Sequence, residues 1–292
     1  MKPARLLTLF SILLLPLSAM AEDMLKPFML APGTAGDASA AIAETRGKLE
    51  AGGFKVVGEY SPYADATVIV ATSDDLLAAA GKSDFGGYGA VIRTAVTQTG
   101  DKVEVTYANP VYWGNAFRMT DLSAVAKQLG DAMGGGTPYG SEEGLTAEKL
   151  RKYHYKILMP YFDDPLELGK FDSHQSAVDN VNQRLASGEN GLKKVFEVKV
   201  PGKEEVLFGV GMSGDGGQAD QGIMTKIDVQ GTRHTAHLPY GVLVSGKTVY
   251  ALPAEFRIAL SFPDLSMMGK GSFMEIMDAP DAIQQTLGTL AK

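Results

Sequence analysis

The chain has 292 residues, no cysteine and a formal net charge of −7. Without cysteine it can form no disulfide, no iron–sulfur cluster and no thiolate zinc site. The acidic balance, with no basic cluster, argues against binding to nucleic acid or to an anionic membrane surface. The length suits two domains of ordinary size.

The N-terminus has the pattern of a secretory signal peptide. Lys2 and Arg5 form a basic region, an apolar run extends from Leu6 to Leu17, and Ala19 and Ala21 occupy the small-residue positions of a cleavage site. The alternative is a membrane anchor, but the run is shorter than the roughly 20 residues that a transmembrane helix needs. We therefore expect cleavage after Ala21, which changes the charge from −7 to −9, and a periplasmic protein outside the membrane.

A glycine-rich segment, GGGTPYGSEEGL at 134–145, divides the remaining chain into two halves of similar length. Glycine and proline in such density are typical of a linker. The predicted organisation is therefore a signal peptide at 1–21, a first domain at 22–133, the linker, and a second domain at 146–292.

In the first half, the hydrophobic pattern alternates between helix and strand. Apolar residues recur at helical spacing between Ala38 and Leu49, and two glycines then end the helix. Two β-rich runs follow, KVVGEYSPY and ATVIVATSDD, and then a hairpin that turns near Gly100. The closing helix has an apolar face made of Leu122, Val125, Leu129 and Met133.

The second half repeats this order. It opens with the apolar segment YHYKILMPYF and a helix, SAVDNVNQRLASG. A hairpin turning at Pro201 follows, and the run YGVLVSGKTVYALPAEFRIALSFPDL predicts further strands. The last element is a helix that places Ile283, Leu287 and Leu290 on one face, with Pro280 in its first turn.

The ends of the two halves align, which predicts an internal duplication. In this alignment Pro110 corresponds to Pro263, Phe117 to Phe273, and Met119 to Met274 or Met277. The expected fold class is α+β, with two tandem domains that each consist of a mainly antiparallel sheet with packed helices.

Five short motifs resemble domain-of-unknown-function family 302. They are KLEAGGFKVV (48–57), EVTYANPVY (104–112), VLFGVGMSGDGG (206–217), HLPYGVLV (237–244) and ALSFPDL (259–265). The resemblance implies a compact α+β fold without an established activity, in which the fourth motif opens a hairpin and the last is a closing strand. The family's Asn-Pro pair after Phe208 and Gly209 is missing, which puts its role here in doubt.

The preferred ligand site is an aromatic and glycine-rich cleft between the two domains. Trp113, the only tryptophan, lies with Tyr112 and Phe117 just after a strand and could form a recognition patch, although core packing is the competing explanation. A G-x-G-x-x-G pattern lacks the helix-forming sequence that a dinucleotide site needs, so a flexible loop or a β-bulge is expected. Its residues are Gly209, Gly211 and Gly214.

A metal site is the alternative. His234 and His237 carry imidazoles, which bind zinc or copper. Thioethers bind copper(I), and the candidates are Met267, Met268, Met274 and Met277. In an extended chain two residues three apart point to opposite faces, and methionine commonly fills apolar gaps. The explanation that competes with a copper-handling protein is therefore that the two histidines lie on the surface and the methionines fill the core.

Catalysis has little support in the sequence. Ser213 and Asp215, with His234 or His237 downstream, follow the order of one hydrolase arrangement, but the strand–turn–helix context of the nucleophile is missing. We predict no catalytic residue and no cofactor. The preferred function is an exported, non-catalytic binding or accessory protein, with a small molecule or a periplasmic protein as its partner. A hydrolase around Ser213 is the second alternative.

Overall fold

The computed structural model describes residues 23–33, 36–155, 159–229 and 231–292. The predicted signal peptide lies outside this range, as do residues 156–158 of the apolar segment that opens the second half. Within the described ranges, no helix combines the length and the apolar character that crossing a membrane requires.

The first sheet is fully antiparallel. Its strands are β1 (Phe28–Leu30), β2 (Lys55–Tyr63), β3 (Ala66–Thr72), β4 (Ile92–Thr99), β5 (Lys102–Ala108) and β6 (Thr137–Tyr139). They lie in the order β2-β3-β4-β5-β1-β6. The predicted hairpin is confirmed, since β4 and β5 turn at Gly100, which has the positive φ that glycine adopts without strain. Strand β6 falls inside the predicted linker, so 137–139 is part of the first sheet.

Five helices accompany this sheet. They are α1 (Ala38–Ala51), α2 (Asp74–Gly81), α3 (Pro110–Ala116), α4 (Ser123–Met133) and α5 (Ala147–Arg151). Helices α1 and α4 are confirmed predictions, and each buries its apolar face. Helix α3 was not predicted. The Asn109 side chain caps it by accepting from the amide of Val111, and Pro110 occupies the first position, where its missing N–H costs nothing.

The second sheet is also antiparallel. Its strands are β7 (Leu166–Lys170), β8 (Leu192–Lys199), β9 (Glu205–Met212), β10 (Tyr240–Ser245) and β11 (Thr248–Ala251). They lie in the order β7-β11-β10-β9-β8. The α+β class with antiparallel sheets is therefore confirmed, and so are the hairpins β8–β9 and β10–β11.

Among the residues that the structure describes, four helices belong to the second half. They are α6 (His174–Ser187), α7 (Asp220–Ile227), α8 (Ala254–Ser261) and α9 (Ala279–Gly288). Helices α6 and α9 are confirmed. The expected strand at 254–261, including the start of the ALSFPDL motif, is wrong, because this segment is α8. All but one of its residues are buried, and a short apolar run without a polar face does not distinguish a strand from a buried helix.

Apart from β6, α5 and the 3₁₀ turns at 189–191, 273–276 and 289–291, the two halves have the same order of elements. Each runs strand, helix, two paired strands, helix, a short 3₁₀ turn, two paired strands and two helices; the 3₁₀ turns are Gly86–Gly89 and Thr235–His237. The strand order β2-β3-β4-β5-β1 corresponds to β8-β9-β10-β11-β7. In this order Pro110 takes the place of Pro253, at the start of α8, whereas the sequence alignment had paired it with Pro263, beyond the end of that helix.

The two sheets share a core. Phe196, Leu207 and Leu243 of the second sheet belong to the same buried cluster as the first sheet and its helices. Their neighbours Val206, Phe208 and Val242 point the other way, into a cluster with α6 and α9, as the alternation of side chains along a strand requires. The region expected to be an open cleft between domains is therefore filled with side chains.

Contacts between the halves are reciprocal. The 3₁₀ turn of the first half packs on β9 and β10, and that of the second half packs on β3, β4 and β5. The amide of Gly87 donates to Glu205 Oε2 (3.0 Å), and Thr97 Oγ1 donates to Thr235 Oγ1 (2.9 Å). Edge strands β2 and β8 also touch. Each half therefore supplies a 3₁₀ turn that packs on the sheet of the other half.

Candidate functional site

The predicted aromatic patch is part of the core. Tyr112 and Phe117 are 0% and 4% exposed, and Tyr112 Oη donates to the carbonyl oxygen of Leu260 in α8 (2.9 Å). Trp113 is half-buried; its Nε1 donates to the carbonyl of Pro27 (2.9 Å), and its ring lies 6.2 Å from that of Phe28. These hydrogen bonds satisfy the polar atoms of Tyr112 and Trp113. They do not support a recognition patch at this position.

The glycines of the G-x-G-x-x-G pattern have separate roles. Gly209 and Gly211 lie within β9 rather than in a loop. A Cβ on Gly209 would lie 2.1 Å from the Phe196 ring, and one on Gly211 would lie 2.5 Å from the Tyr60 ring. These glycines make room for aromatic rings, which corrects their assignment to a ligand-binding loop. Gly214 alone lies in the exposed loop, where it has a positive φ and where an added Cβ would meet no other atom within 4 Å.

The two candidate histidines have different surroundings. His234 is partly buried, its Nδ1 lies 3.1 Å from Asp228 Oδ1, and its amide donates to the same carboxylate (2.9 Å). His237 is 2% exposed, and its Nδ1 lies 2.7 Å from Ser261 Oγ. Burial, reinforced by the charge of Arg257, holds the pKa of His237 well below its usual range, so the ring is neutral.

The geometry does not assemble the histidine and methionine site. Within the described ranges, no group of three or more His, Cys, Asp or Glu side chains is arranged to hold a metal ion. His237 is enclosed in the core, whereas Met267 and Met268 are 41% and 75% exposed. The expectation that these methionines fill the core is also wrong, because residues 266–270 form a surface segment.

Within the described residues, Ser213 forms no hydrogen bond with a histidine. Its hydroxyl donates to the carbonyl of Gly191 (3.0 Å) on the surface of the second half. A serine–histidine contact does occur between Ser261 and His237, and sequence inspection missed it. Both residues are buried, at 0% and 2% exposed, so a substrate cannot reach them in this conformation.

A buried charged residue was also missed. Arg257 Nη2 donates to the carbonyl of His237 (2.6 Å), and its guanidinium carbon lies 4.0 Å from the centre of the Tyr240 ring. A guanidinium over an aromatic face is a favourable cation–π geometry. The signal in the sequence is an arginine within the apolar run FRIALSF. Its contacts fix the turn that carries His237, which is a structural role.

An apolar pocket of about 220 Å³ lies beside α8. The helix contributes Glu255, Ile258 and Ala259, which lie on one helical face, and Phe262 follows directly after the helix as its C-cap. The opposite face, with Phe256 and Leu260, is buried in the core shared by the two sheets. Helix α8 thus packs in the shared core with one face, while Ile258 and Phe262 on its other side both belong to the second core cluster and line the pocket.

The other walls of this pocket come from two segments. Leu265, Met267 and Phe273 belong to the connection between α8 and α9, and Tyr155 and Met159 belong to the segment that precedes β7. All but one of the lining side chains are apolar or aromatic, and Glu255 is the exception. Small-molecule sites are typically concave and apolar with a few polar groups, and this pocket has that character.

A more polar groove of about 620 Å³ adjoins the apolar pocket. Phe262 and Leu265 contribute to both. The groove also contains the Asp228–His234 pair and Lys270. A ligand with an apolar body and a polar end could therefore place the former against α8 and the latter in the groove.

Comparison with family models and with curated proteins gave no match for this chain. The resemblance to domain-of-unknown-function family 302 thus stays a prediction from short motifs. Of these motifs, HLPYGVLV does open a hairpin, whereas ALSFPDL spans the end of a helix.

Proposed function

We propose that this protein is an exported, non-catalytic binding protein that holds a small, mainly apolar molecule in the pocket beside α8. The observation that carries the proposal is the concave apolar surface of about 220 Å³ with the single carboxylate of Glu255. An apolar cavity of about 150 Å³ already accommodates benzene, so the space suits a substituted aromatic ring or a short acyl chain.

The export step rests on residues 1–21, whose basic, apolar and small-residue regions follow the order of a cleavable leader. Release into the periplasm would place the pocket where small molecules arrive through the outer membrane. The resemblance to domain-of-unknown-function family 302 implies no activity and is compatible with a binding role.

A duplication of one α+β unit is part of the same proposal. It is supported by the shared order of elements, the shared strand order and the reciprocal contacts of the two 3₁₀ turns. The sequences YANP (107–110) and YALP (250–253) occupy the same place, at the junction of a strand and a helix in each half. Only the second copy carries the proposed binding pocket.

The proposal is tested with N-phenyl-1-naphthylamine, an uncharged apolar dye whose fluorescence rises in apolar surroundings. The dye is titrated against the protein, against Ala259→Leu and against Ala124→Leu. Ala259 is a buried residue of the pocket wall, so leucine fills part of the cavity, whereas Ala124 is exposed on α4. We expect saturable binding at one site, at least tenfold weaker in Ala259→Leu and unchanged in Ala124→Leu. Absence of saturable binding, or equal affinity in all three proteins, would reject the pocket.

A further inference from the structure

Exposed methionines are concentrated in one surface segment. Of the six large hydrophobic residues that are exposed within the described part of the chain, four fall between 267 and 277. They are Met267, Met268, Met274 and Met277, at 41%, 75%, 52% and 57% exposed. Single exposed apolar residues are ordinary on a protein surface, but a cluster of one residue type calls for a chemical explanation.

The backbone brings three of these methionines together. The segment folds back on itself, because the amide of Phe273 donates to the carbonyl of Ser266 (2.8 Å) and that of Met274 donates to the carbonyl of Met267 (3.3 Å). Met267 and Met274 are thus neighbours across a tight loop.

A short 3₁₀ helix, Phe273–Ile276, then positions the third residue. Met277 caps this helix with helical backbone angles. Residues three apart in a 3₁₀ helix lie one above the other, so Met277 follows Met274 on the same side. The loop and the helix together bring the backbones of Met267, Met274 and Met277 close to one another in one exposed segment.

Thioether sulfur is a soft ligand that selects copper(I) among the common metals. The chain has no cysteine to compete for it. Carboxylates lie in the same stretch of sequence, at Glu275 and Asp278, and would favour a cation, while Lys270 opposes it. Histidine is not needed, which separates this site from the histidine–methionine arrangement expected from the sequence.

We infer that Met267, Met274 and Met277 form a surface site for one copper(I) ion. The ion would be bound by three thioethers and would leave the adjoining apolar pocket open, since only Met267 also contributes to that pocket. The inference does not depend on the proposed binding of an apolar molecule. Because the three side chains are exposed, they can adjust their rotamers to the metal without disturbing the core.

The test is a competition titration in which copper(I), kept reduced with ascorbate, is transferred from its coloured bicinchoninate complex to the protein. We expect one equivalent to be withdrawn per chain. The triple variant Met267→Leu, Met274→Leu and Met277→Leu keeps a similar volume and apolar character but loses the sulfur atoms, and should bind at least tenfold more weakly. Met24→Leu removes an exposed methionine elsewhere, at 46% exposed, and should bind as the parent does.

Several outcomes would overturn the site: no copper withdrawn by the parent, equal affinity in the triple variant, or a similar loss in Met24→Leu, which would indicate non-specific thioether binding. Circular dichroism and the midpoint of urea unfolding establish that the triple variant is folded. X-ray absorption at the copper edge supplies an independent measurement, because a shell of nitrogen or oxygen around the metal would contradict thioether ligation. The dye titration with the double variant Met274→Leu and Met277→Leu separates the two proposals: neither residue lines the pocket, so this variant should bind the dye as the parent does.

Discussion

The connection that follows α3 and the one that follows α8 occupy the same place in the two halves, but they have different consequences. The first comprises residues 117–122, and the second comprises residues 262–278. In the shorter connection Phe117, Met119 and Leu122 are all buried and close the surface over α3. The longer one leaves an apolar pocket beside α8 and four exposed methionines. The shorter connection thus covers the surface of α3, whereas the longer one leaves a pocket beside α8.

The residue four positions after the proline accounts for part of this difference. In α3 it is Gly114, where a Cβ would lie 2.7 Å from Leu122 Cδ1, so the missing side chain lets the short connection close onto the helix. In α8 it is Arg257, which reaches inward to the carbonyl of His237. Function commonly resides in connections carried on a rigid scaffold, and the proposed binding pocket has such a position.

The largest expected effect on the free energy of unfolding comes from removing a buried side chain of α3, the helix that the shorter connection covers. Tyr112→Ala removes a fully buried ring and its hydrogen bond to Leu260, and should lower the free energy of unfolding by about 3–5 kcal/mol. Tyr161→Ala, at an exposed tyrosine, should change it by less than about 1 kcal/mol. Urea unfolding followed by circular dichroism measures both. If the two variants were equally stable, Tyr112 would not be part of the core.

The second expected effect is a pH dependence that originates where the halves meet. Tyr60 of the first half donates to Asp220 Oδ2 of the second (2.7 Å), and the amide of Met212 donates to the same atom (2.8 Å). Burial raises the pKa of Asp220 from 3.8 to about 7. Burial also raises the pKa of Tyr60, which therefore remains a donor throughout this range.

The raised pKa means that the folded protein holds this proton more tightly than the unfolded chain does. The stability that the protonated carboxyl contributes is full below pH 3.8 and is lost as the pH rises to about 7. Asp220→Asn cannot titrate, so the difference in unfolding free energy, parent minus variant, should fall by a few kcal/mol across this window, at about 1.4 kcal/mol for each unit of pKa shift. The free energy of unfolding of both proteins is measured by urea unfolding at each pH. If it changed with pH in the same way in both, Asp220 would have an ordinary pKa.

The helices predicted from sequence are those with one polar and one apolar face. Helix α4 buries Val125, Leu129 and Met133 and exposes the residues between them, so its spacing identifies it. Helix α8 could not be identified in this way, because one face packs in the shared core and the other packs in the second core cluster and lines the pocket. A better signal was present in YANP and YALP, which would have aligned Pro110 with Pro253 and indicated a helix after each.

The candidate site was less predictable than the fold. Its pocket wall combines α8 with Phe273 and Tyr155, and no local pattern shows that these distant residues meet. The aromatic residues near Trp113 attracted attention by composition, but composition alone does not distinguish a buried cluster from a recognition surface. The methionines were identified as possible ligands from residue type, whereas their exposure depends on the fold of the connection between α8 and α9.

The smallest expected effect concerns the edge where β2 and β8 touch. A Cβ at Gly58 would lie 2.4 Å from the carbonyl oxygen of Val195, a backbone atom that cannot move without shifting its strand. Gly58→Ala should therefore lower the free energy of unfolding by about 2 kcal/mol, within the range for overpacking. Gly47→Ala is the matched control, because Gly47 is an exposed residue of α1 with nothing within 4 Å of an added Cβ. It should stabilise the protein by up to about 1 kcal/mol through helix propensity.

The two glycine variants separate a contact between the halves from a property of glycine itself. If the halves pack as described, the variants change the unfolding midpoint in opposite directions, and Gly58→Ala also shifts the near-ultraviolet circular dichroism of the aromatic side chains around the shared core. Stabilisation by Gly58→Ala would mean that β2 and β8 do not approach each other closely in solution. The two halves would then pack less closely than the contacts of the two 3₁₀ turns indicate. The pocket beside α8 would then depend on the second half alone.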